Sequence, residues 1–124
     1  DIRNELIQKA KEIGVKVSPQ QAEQFQNYLD LLLERNEVVN LTAITDPHEA
    51  VVKHFVDSLT LLKAVEIKKG AKLVDVGTGA GFPGLPVKIM RPDIELTLLD
   101  SLNKRLIFLK DVCAAIGVEA NCIH

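Results

Sequence analysis

The chain of 124 residues is poor in several residue types, and each scarcity excludes a class of protein. Its two cysteines are too few for a disulfide framework or a zinc site, so we expect reduced, buried thiols and no metal. The longest apolar runs span only a few residues, whereas a membrane-spanning helix needs about 20. No basic segment leads into an apolar stretch, so no secretory signal is visible. These scarcities favour a cytoplasmic protein without a membrane partner.

An excess of charge of one sign is also missing. Fifteen basic residues face 17 acidic ones, which gives a formal net charge of −2. A protein that coats nucleic acid through its overall field is usually strongly basic. The charge therefore predicts no general affinity for RNA or DNA, although it leaves room for a local basic patch. With 47% apolar and 26% charged residues, the composition is that of one globular domain.

Two patterns of apolar residues divide the chain. Residues 1–66 show helical spacing, with a capping box at Ser18–Gln21 and a second helix start at Asp46-Pro47. Residues 71–124 alternate short β-branched runs with helical segments, which predicts a β-α-β-α-β order. The fold class is therefore α/β, with N-terminal helices followed by a partial Rossmann-like parallel sheet. Residues 68–70 form a short polar link between the two patterns.

The main chemical signal lies between the first predicted strand and the next helix. There, Asp75–Gly81 has three glycines at alternate positions behind an acidic residue. Glycines allow a sharp turn and let a ligand approach the backbone closely. A dinucleotide fingerprint would need glycine where Phe82 stands, and a Walker A loop would need a lysine that is absent. The pattern resembles the cofactor loop of S-adenosylmethionine-dependent methyltransferases.

Charged residues follow the second predicted strand. Asp100 ends this strand, where a carboxylate can accept hydrogen bonds from ribose hydroxyls or, equally, cap the next helix beside Ser101. Lys104 and Arg105 fall in the first turn of that helix, where cations oppose the helix dipole. They could face a phosphate, an acidic group or water.

Three polar residues share one face of an earlier helix, at spacings of three and four residues. His54, Asp57 and Ser58 have the residue types of a hydrolase triad. We reject that interpretation because neighbours on one helix rarely adopt triad geometry and no G-x-S-x-G elbow is present. An interhelical polar cluster and a wall of the cofactor pocket both remain open.

Four segments carry a family resemblance: Asn40–Thr42, His54–Leu59, Asp75–Gly84 and Asp100–Arg105. Together they resemble the glucose-inhibited division protein B family, bacterial methyltransferases of small-subunit ribosomal RNA, over essentially the whole chain. The resemblance implies methyl transfer from S-adenosylmethionine to N7 of a guanine in 16S ribosomal RNA, with S-adenosylhomocysteine as product. The 16S ribosomal RNA or the small ribosomal subunit would be the partner.

The resemblance also implies roles for individual residues. The segment 71–124 would be the first half of an S-adenosylmethionine-binding domain, and 1–66 an N-terminal helical region. The residues expected to bind cofactor are Asp75, Gly77, Thr78, Gly79, Gly81, Phe82, Pro83 and Asp100. Those expected at the pocket rim or facing RNA are His54, Asp57, Ser58, Lys104 and Arg105. No catalytic residue is assigned, because guanine N7 has a free lone pair and needs no general base; catalysis would rest on proximity and orientation.

Two departures from the family pattern shape the expectations for this chain. Arg35 stands where family members usually carry tryptophan, and family members continue well past His124. We therefore expect a fragment that binds cofactor but transfers methyl groups poorly. Its first strand, Leu73–Val76, would be left on an open edge and would promote self-association. The alternatives are a non-catalytic module for a nucleotide-like ligand or a protein, and a nicotinamide dehydrogenase, against which Phe82 argues.

Overall fold

The computed structural model describes all 124 residues, and its elements follow the predicted order of N-terminal helices and then β-α-β-α-β. Residues 47–64 form one continuous helical segment, in which a π-helical turn joins two α-helices. The elements are α1 (Arg3–Glu12), α2 (Pro19–Asn36), α3 (Pro47–Ala50), the π-helical turn (Val51–Val56), α4 (Asp57–Ala64), β1 (Lys72–Val76), α5 (Gly84–Met90), β2 (Glu95–Leu99), α6 (Asn103–Ile116) and β3 (Asn121–Ile123). None of these helices is both long and apolar enough to cross a membrane.

The three strands form one parallel sheet in the order β1-β2-β3. Alternate residues point to opposite faces, and the burial follows that alternation. Leu96 and Leu98 of β2 are buried in the core, whereas Val74 and Val76 of β1 are 55% and 76% exposed. Helices therefore cover one face of the sheet and leave the other open at β1. The partial Rossmann-like α/β fold predicted from the sequence is confirmed.

One hydrophobic core of 25 buried residues joins the N-terminal helices to the sheet. The predicted capping box at the start of α2 is present: Ser18 Oγ accepts from the Gln21 N–H at 3.1 Å, and the Ser18 N–H donates to Gln21 Oε1 at 3.0 Å. The cap fixes where α2 begins, and the helical spacing of the apolar residues that follow places them on one side of the helix, facing the core. The buried side chains along it are Ala22, Phe25, Tyr28, Leu29 and Leu32.

The start of α6 differs from the prediction. Neither Asp100 nor Ser101 caps the helix, which begins at Asn103, and Leu102 stands at the N-cap without a side-chain hydrogen bond. Asp100 Oδ1 instead accepts from the Leu102 N–H at 2.9 Å, one residue before the helix begins, so its side chain orders the turn that leads into α6. At the other end of α6, Gly117 adopts the left-handed conformation typical of a helix terminus.

Candidate functional site

A tight loop connects β1 to α5 at the carboxyl end of the sheet. Gly77, Gly79 and Gly81 adopt φ angles of +68°, +60° and +102°, which other residues rarely tolerate. The Thr78 N–H donates to the Leu99 carbonyl at 3.0 Å, so the loop is tied to the end of β2. Ligands of open α/β sheets bind in this position, beyond the carboxyl ends of the strands.

Asp75 braces the loop from within β1. Its Oδ2 accepts from Thr78 Oγ1 at 2.8 Å and from the Gly84 N–H at 3.0 Å. Partial burial raises the pKa of the Asp75 carboxyl, and these two hydrogen bonds oppose that rise. The carboxylate thus joins the strand, the loop and the start of α5.

Asp100 contacts the same loop from the end of β2. Its Oδ2 accepts from the Gly79 N–H at 2.9 Å, and Arg105 Nη1 lies 3.5 Å from Oδ1. Burial raises the pKa of Asp100, but the hydrogen bonds from the Leu102 and Gly79 amides, together with the nearby Arg105, outweigh it and lower the pKa overall. The side chain is only 2% exposed. Ribose binding by Asp100, which remains a prediction, would use the lone pairs that these amides leave free.

The four glycines of this region differ in the space around them. A β-carbon at Gly77 or Gly79 would meet nothing within 4 Å, so both face open space. At Gly84 it would lie 2.9 Å from Asp75 Oδ2, and at Gly81 it would lie 2.8 Å from Leu109 Cδ2. The backbone around Gly77 and Gly79 is therefore the surface open to a ligand, whereas Gly81 and Gly84 are required by packing.

Tyr28, which no sequence motif marks as a functional residue, reaches the loop from α2. It is fully buried, and its hydroxyl donates a hydrogen bond to the Ala80 carbonyl. Burial raises the pKa of Tyr28 well above its ordinary value, so the hydroxyl stays protonated and remains a donor. The available signal was weak: a tyrosine between Phe25 and Leu29 in an apolar stripe reads as a packing residue.

Three rings stack between the loop and the π-helical turn. The Phe82 ring lies between His54, at a centroid distance of 4.3 Å and 6° between planes, and Tyr28, at 5.5 Å and 14°. Stacked aromatic rings stabilise a fold by more than the burial of their apolar area alone contributes. Phe82 of the loop is thus held between two elements of the N-terminal helices.

The polar contacts of His54 exclude a hydrolase triad. Its Nε2 is 2.8 Å from Thr42 Oγ1, while Ser58 Oγ donates to the His54 carbonyl rather than to the imidazole. Asn36 in turn accepts from the Thr42 N–H at 2.9 Å. Partial burial lowers the pKa of His54, and the nearby Asp57 opposes this shift. His54 therefore sits in an interhelical polar cluster that also borders the loop.

A groove of about 420 Å³ runs along this face of the molecule. It brings together two sets of predicted residues, those of the helical segment and those of the glycine loop. Its lining residues are Lys53, His54, Asp57, Ser58, Thr60, Leu61, Ala64, Phe82 and Pro83. His54, Asp57 and Ser58 thus lie beside Phe82 and Pro83, as the pocket-wall interpretation requires.

The remaining predicted residues divide between the loop and solvent. Arg105 lies beside Asp100, and its buried Nε has no hydrogen-bond partner. Lys104 is exposed and forms no ion pair. No group of three or more His, Cys, Asp or Glu side chains is placed to hold a metal ion.

The arrangement defines a class of protein. A parallel strand enters a loop of positive-φ glycines, a helix follows, and an acidic residue from the next strand binds a loop amide. This is the arrangement of the first β-α-β unit of the Rossmann-like α/β proteins. The open backbone at Gly77 and Gly79 fits a ligand that must approach the main chain closely, and the missing glycine at Phe82 departs from the dinucleotide pattern.

Comparison with known proteins identifies the family. The family model described as rRNA small subunit methyltransferase G matches residues 21–124, so the chain belongs to that family. Curated relatives with this same name include those of Desulforamulus reducens, 50% identical over the whole chain and 52% of the relative, and Clostridium beijerinckii, 53% identical over 92% of the chain and 48% of the relative. That of Pelotomaculum thermopropionicum is 49% identical over 89% of the chain and 46% of the relative. The chain spans about half the length of the curated relatives it matches, and the resemblance described from its motifs is confirmed.

Proposed function

We propose that the protein is an S-adenosylmethionine-dependent methyltransferase that modifies guanine N7 in 16S ribosomal RNA of the small subunit. Residues 71–124 would be the first half of the cofactor-binding domain, following a helical region at 1–66. One observation carries the proposal: in a chain of this family, the Gly79 amide is held by Asp100, while the β-carbon positions of Gly77 and Gly79 face open space. A ribosomal substrate also favours a cytoplasmic location.

The cofactor-binding role falls to residues already placed around the loop. Gly77, Thr78 and Gly79 would present their backbone to the cofactor, and Asp100 would orient its ribose. Asp75 and Gly81 would hold the shape of the loop, because both contact neighbouring protein atoms and neither faces open space. When bound, the cofactor supplies an electrophilic methyl group. The protein's contribution would then be to orient the two reactants and exclude water, because N7 has no proton to remove.

The groove next to the loop is the proposed rim of the pocket. Phe82 and Pro83 line it from the loop, and His54, Asp57 and Ser58 line it from the helices. His54 is held neutral more readily than a free imidazole, since burial lowers its pKa. Lys104 and Arg105, at the start of α6, are the proposed RNA-facing cations near Asp100. For these 124 residues alone we expect cofactor binding with weak methyl transfer, because the chain spans about half the length of its relatives.

Calorimetric titration with S-adenosylmethionine, S-adenosylhomocysteine and NAD tests the proposal. We expect saturable binding of the first two at one site and no binding of NAD. Gly79→Val should abolish binding, because its side chain would occupy the open surface of the loop. Asp100→Ala should weaken it, because the Gly79 amide loses its acceptor.

A folded chain that binds neither sulfonium cofactor nor its product would contradict the cofactor assignment. Binding of NAD instead would favour a dehydrogenase. Cofactor binding in a protein of full family length that never methylates small-subunit RNA would favour the non-catalytic module. Together these outcomes distinguish a methyltransferase from a dehydrogenase and from a non-catalytic module.

A further inference from the structure

One side chain of the N-terminal helices donates a hydrogen bond to the glycine loop. The Tyr28 hydroxyl reaches the Ala80 carbonyl across 52 residues of sequence, and both residues are buried. A buried carbonyl that loses its donor is costly, so this bond constrains the peptide between Ala80 and Gly81. The helical region thus acts directly on the backbone of the proposed cofactor loop.

The space at Gly81 is matched to Tyr28. A β-carbon built on Gly81 would collide with the Tyr28 hydroxyl and would also lie 2.8 Å from Leu109 Cδ2. The hydroxyl therefore occupies the volume that a side chain at position 81 would need. The same tyrosine ring stacks on Phe82, the next residue of the loop. Three consecutive residues, 80–82, are in this way fixed by one tyrosine.

Three separate contacts then hold the loop around its open face. The Leu99 carbonyl holds the Thr78 amide, Asp100 holds the Gly79 amide, and Tyr28 holds the Ala80 carbonyl. The first two come from the strand β2 and the residue after it. The third comes from outside the sheet and closes the end of the loop that leads into α5.

We propose that Tyr28 is a positioning residue that holds the glycine loop in its ligand-binding shape through its hydroxyl. This inference rests on the proposed function, because it concerns how well the loop binds the cofactor. It makes the N-terminal helices a working part of the cofactor site as well as a packing partner of the sheet.

The variant Tyr28→Phe tests this role because it removes the hydroxyl and keeps the ring that packs against Phe82. Loss of one hydrogen bond lowers the population of the binding-competent loop, and the apparent affinity falls with that population. We expect the Kd for S-adenosylhomocysteine, measured by calorimetry well below the melting temperature, to rise about three- to tenfold. The wild-type chain measured alongside shows whether cofactor binding itself occurs.

The matched control is Ile2→Val, a conservative change of a residue that is 2% exposed in the core and lies at the start of α1. It should lower the melting temperature without changing the Kd. Equal affinities of wild type and Tyr28→Phe would overturn the inference and leave the proposed function standing. Equal weakening by Tyr28→Phe and Ile2→Val would also overturn it, since the effect would then be general destabilisation. Absence of binding by wild type would instead refute the proposed function.

Discussion

Three glycine-to-alanine variants separate the packing glycines of the loop from the ligand-facing ones. A left-handed backbone costs a non-glycine residue about 1–2 kcal/mol. At Gly79 this is the whole penalty, because an added β-carbon meets nothing within 4 Å. At Gly81 the methyl group also meets the Tyr28 hydroxyl and Leu109 Cδ2, and such overpacking costs a further 1–3 kcal/mol or so. We therefore expect a loss of about 1–2 kcal/mol for Gly79→Ala and about 2–5 kcal/mol for Gly81→Ala in the free energy of unfolding.

Urea denaturation followed by circular dichroism measures these losses, and calorimetry with S-adenosylhomocysteine measures binding in the same samples. Gly117→Ala is the matched control, since Gly117 has a φ of +73°, meets nothing within 4 Å and ends α6 away from the loop. Gly79→Ala and Gly117→Ala should lose similar stability, but only Gly79→Ala should weaken binding. Equal stability losses at Gly79 and Gly81, or unchanged binding in Gly79→Ala, would refute this account of the loop.

Further predictions concern the ring stack, two histidines and the first strand. Phe82→Ala should cost about 2–4 kcal/mol in urea denaturation and weaken S-adenosylhomocysteine binding, with Phe82→Leu intermediate; an unchanged Kd would count against the groove as part of the site. In an NMR titration, His48 should titrate above 6.5, because its bond to Glu5 raises its pKa, and His54 below it, because burial lowers its pKa. The ion pair of His48 with Glu5 therefore stabilises the fold below pH 6.5, and this stabilisation is lost as the pH rises through the raised folded pKa of His48. His54 lowers the free energy of unfolding as the pH falls below 6.5, because its imidazole binds a proton less readily in the folded state. The reverse order of midpoints would disprove both assignments. Because β1 has one unpaired edge and Val76 is 76% exposed, sedimentation should show concentration-dependent association that Val76→Lys reduces, and a constant monomer mass would exclude it.

Local sequence patterns predicted most of the fold, because most of its helices and strands depend on interactions between residues that are close in sequence. The capping box at Ser18 and the β-branched run at Lys72–Val76 depend on neighbours in sequence, and both appear as expected. The π-helical turn within the segment from Asp46 to Ala64 was not predicted. Apolar spacing alone could not distinguish it from a regular helix.

The sequence predicted the glycine loop and Asp100 of the candidate site, but not the contacts that join the loop to the N-terminal helices. The motif correctly indicated a glycine loop next to Asp100, because parallel strands bring their carboxyl ends to one edge of the sheet. The stacking of Phe82 on His54 and the bond from Tyr28 join residues that are far apart in sequence, and no local spacing encodes them. The sequence left open whether Asp100 or Ser101 would cap the next helix, and neither does, because Leu102 stands at the N-cap without a side-chain hydrogen bond.

The most direct test of the cofactor assignment is an amide NMR titration of this chain with S-adenosylhomocysteine. We predict that the largest shifts fall on the amides of Gly77, Thr78 and Gly79, while Gly70 and Gly117, which have similar φ angles elsewhere in the chain, stay unchanged. Titration with NAD should leave the chemical shifts of all five amides unchanged. Shifts confined to another surface, or none with a folded sample, would contradict the claim that this loop binds the cofactor.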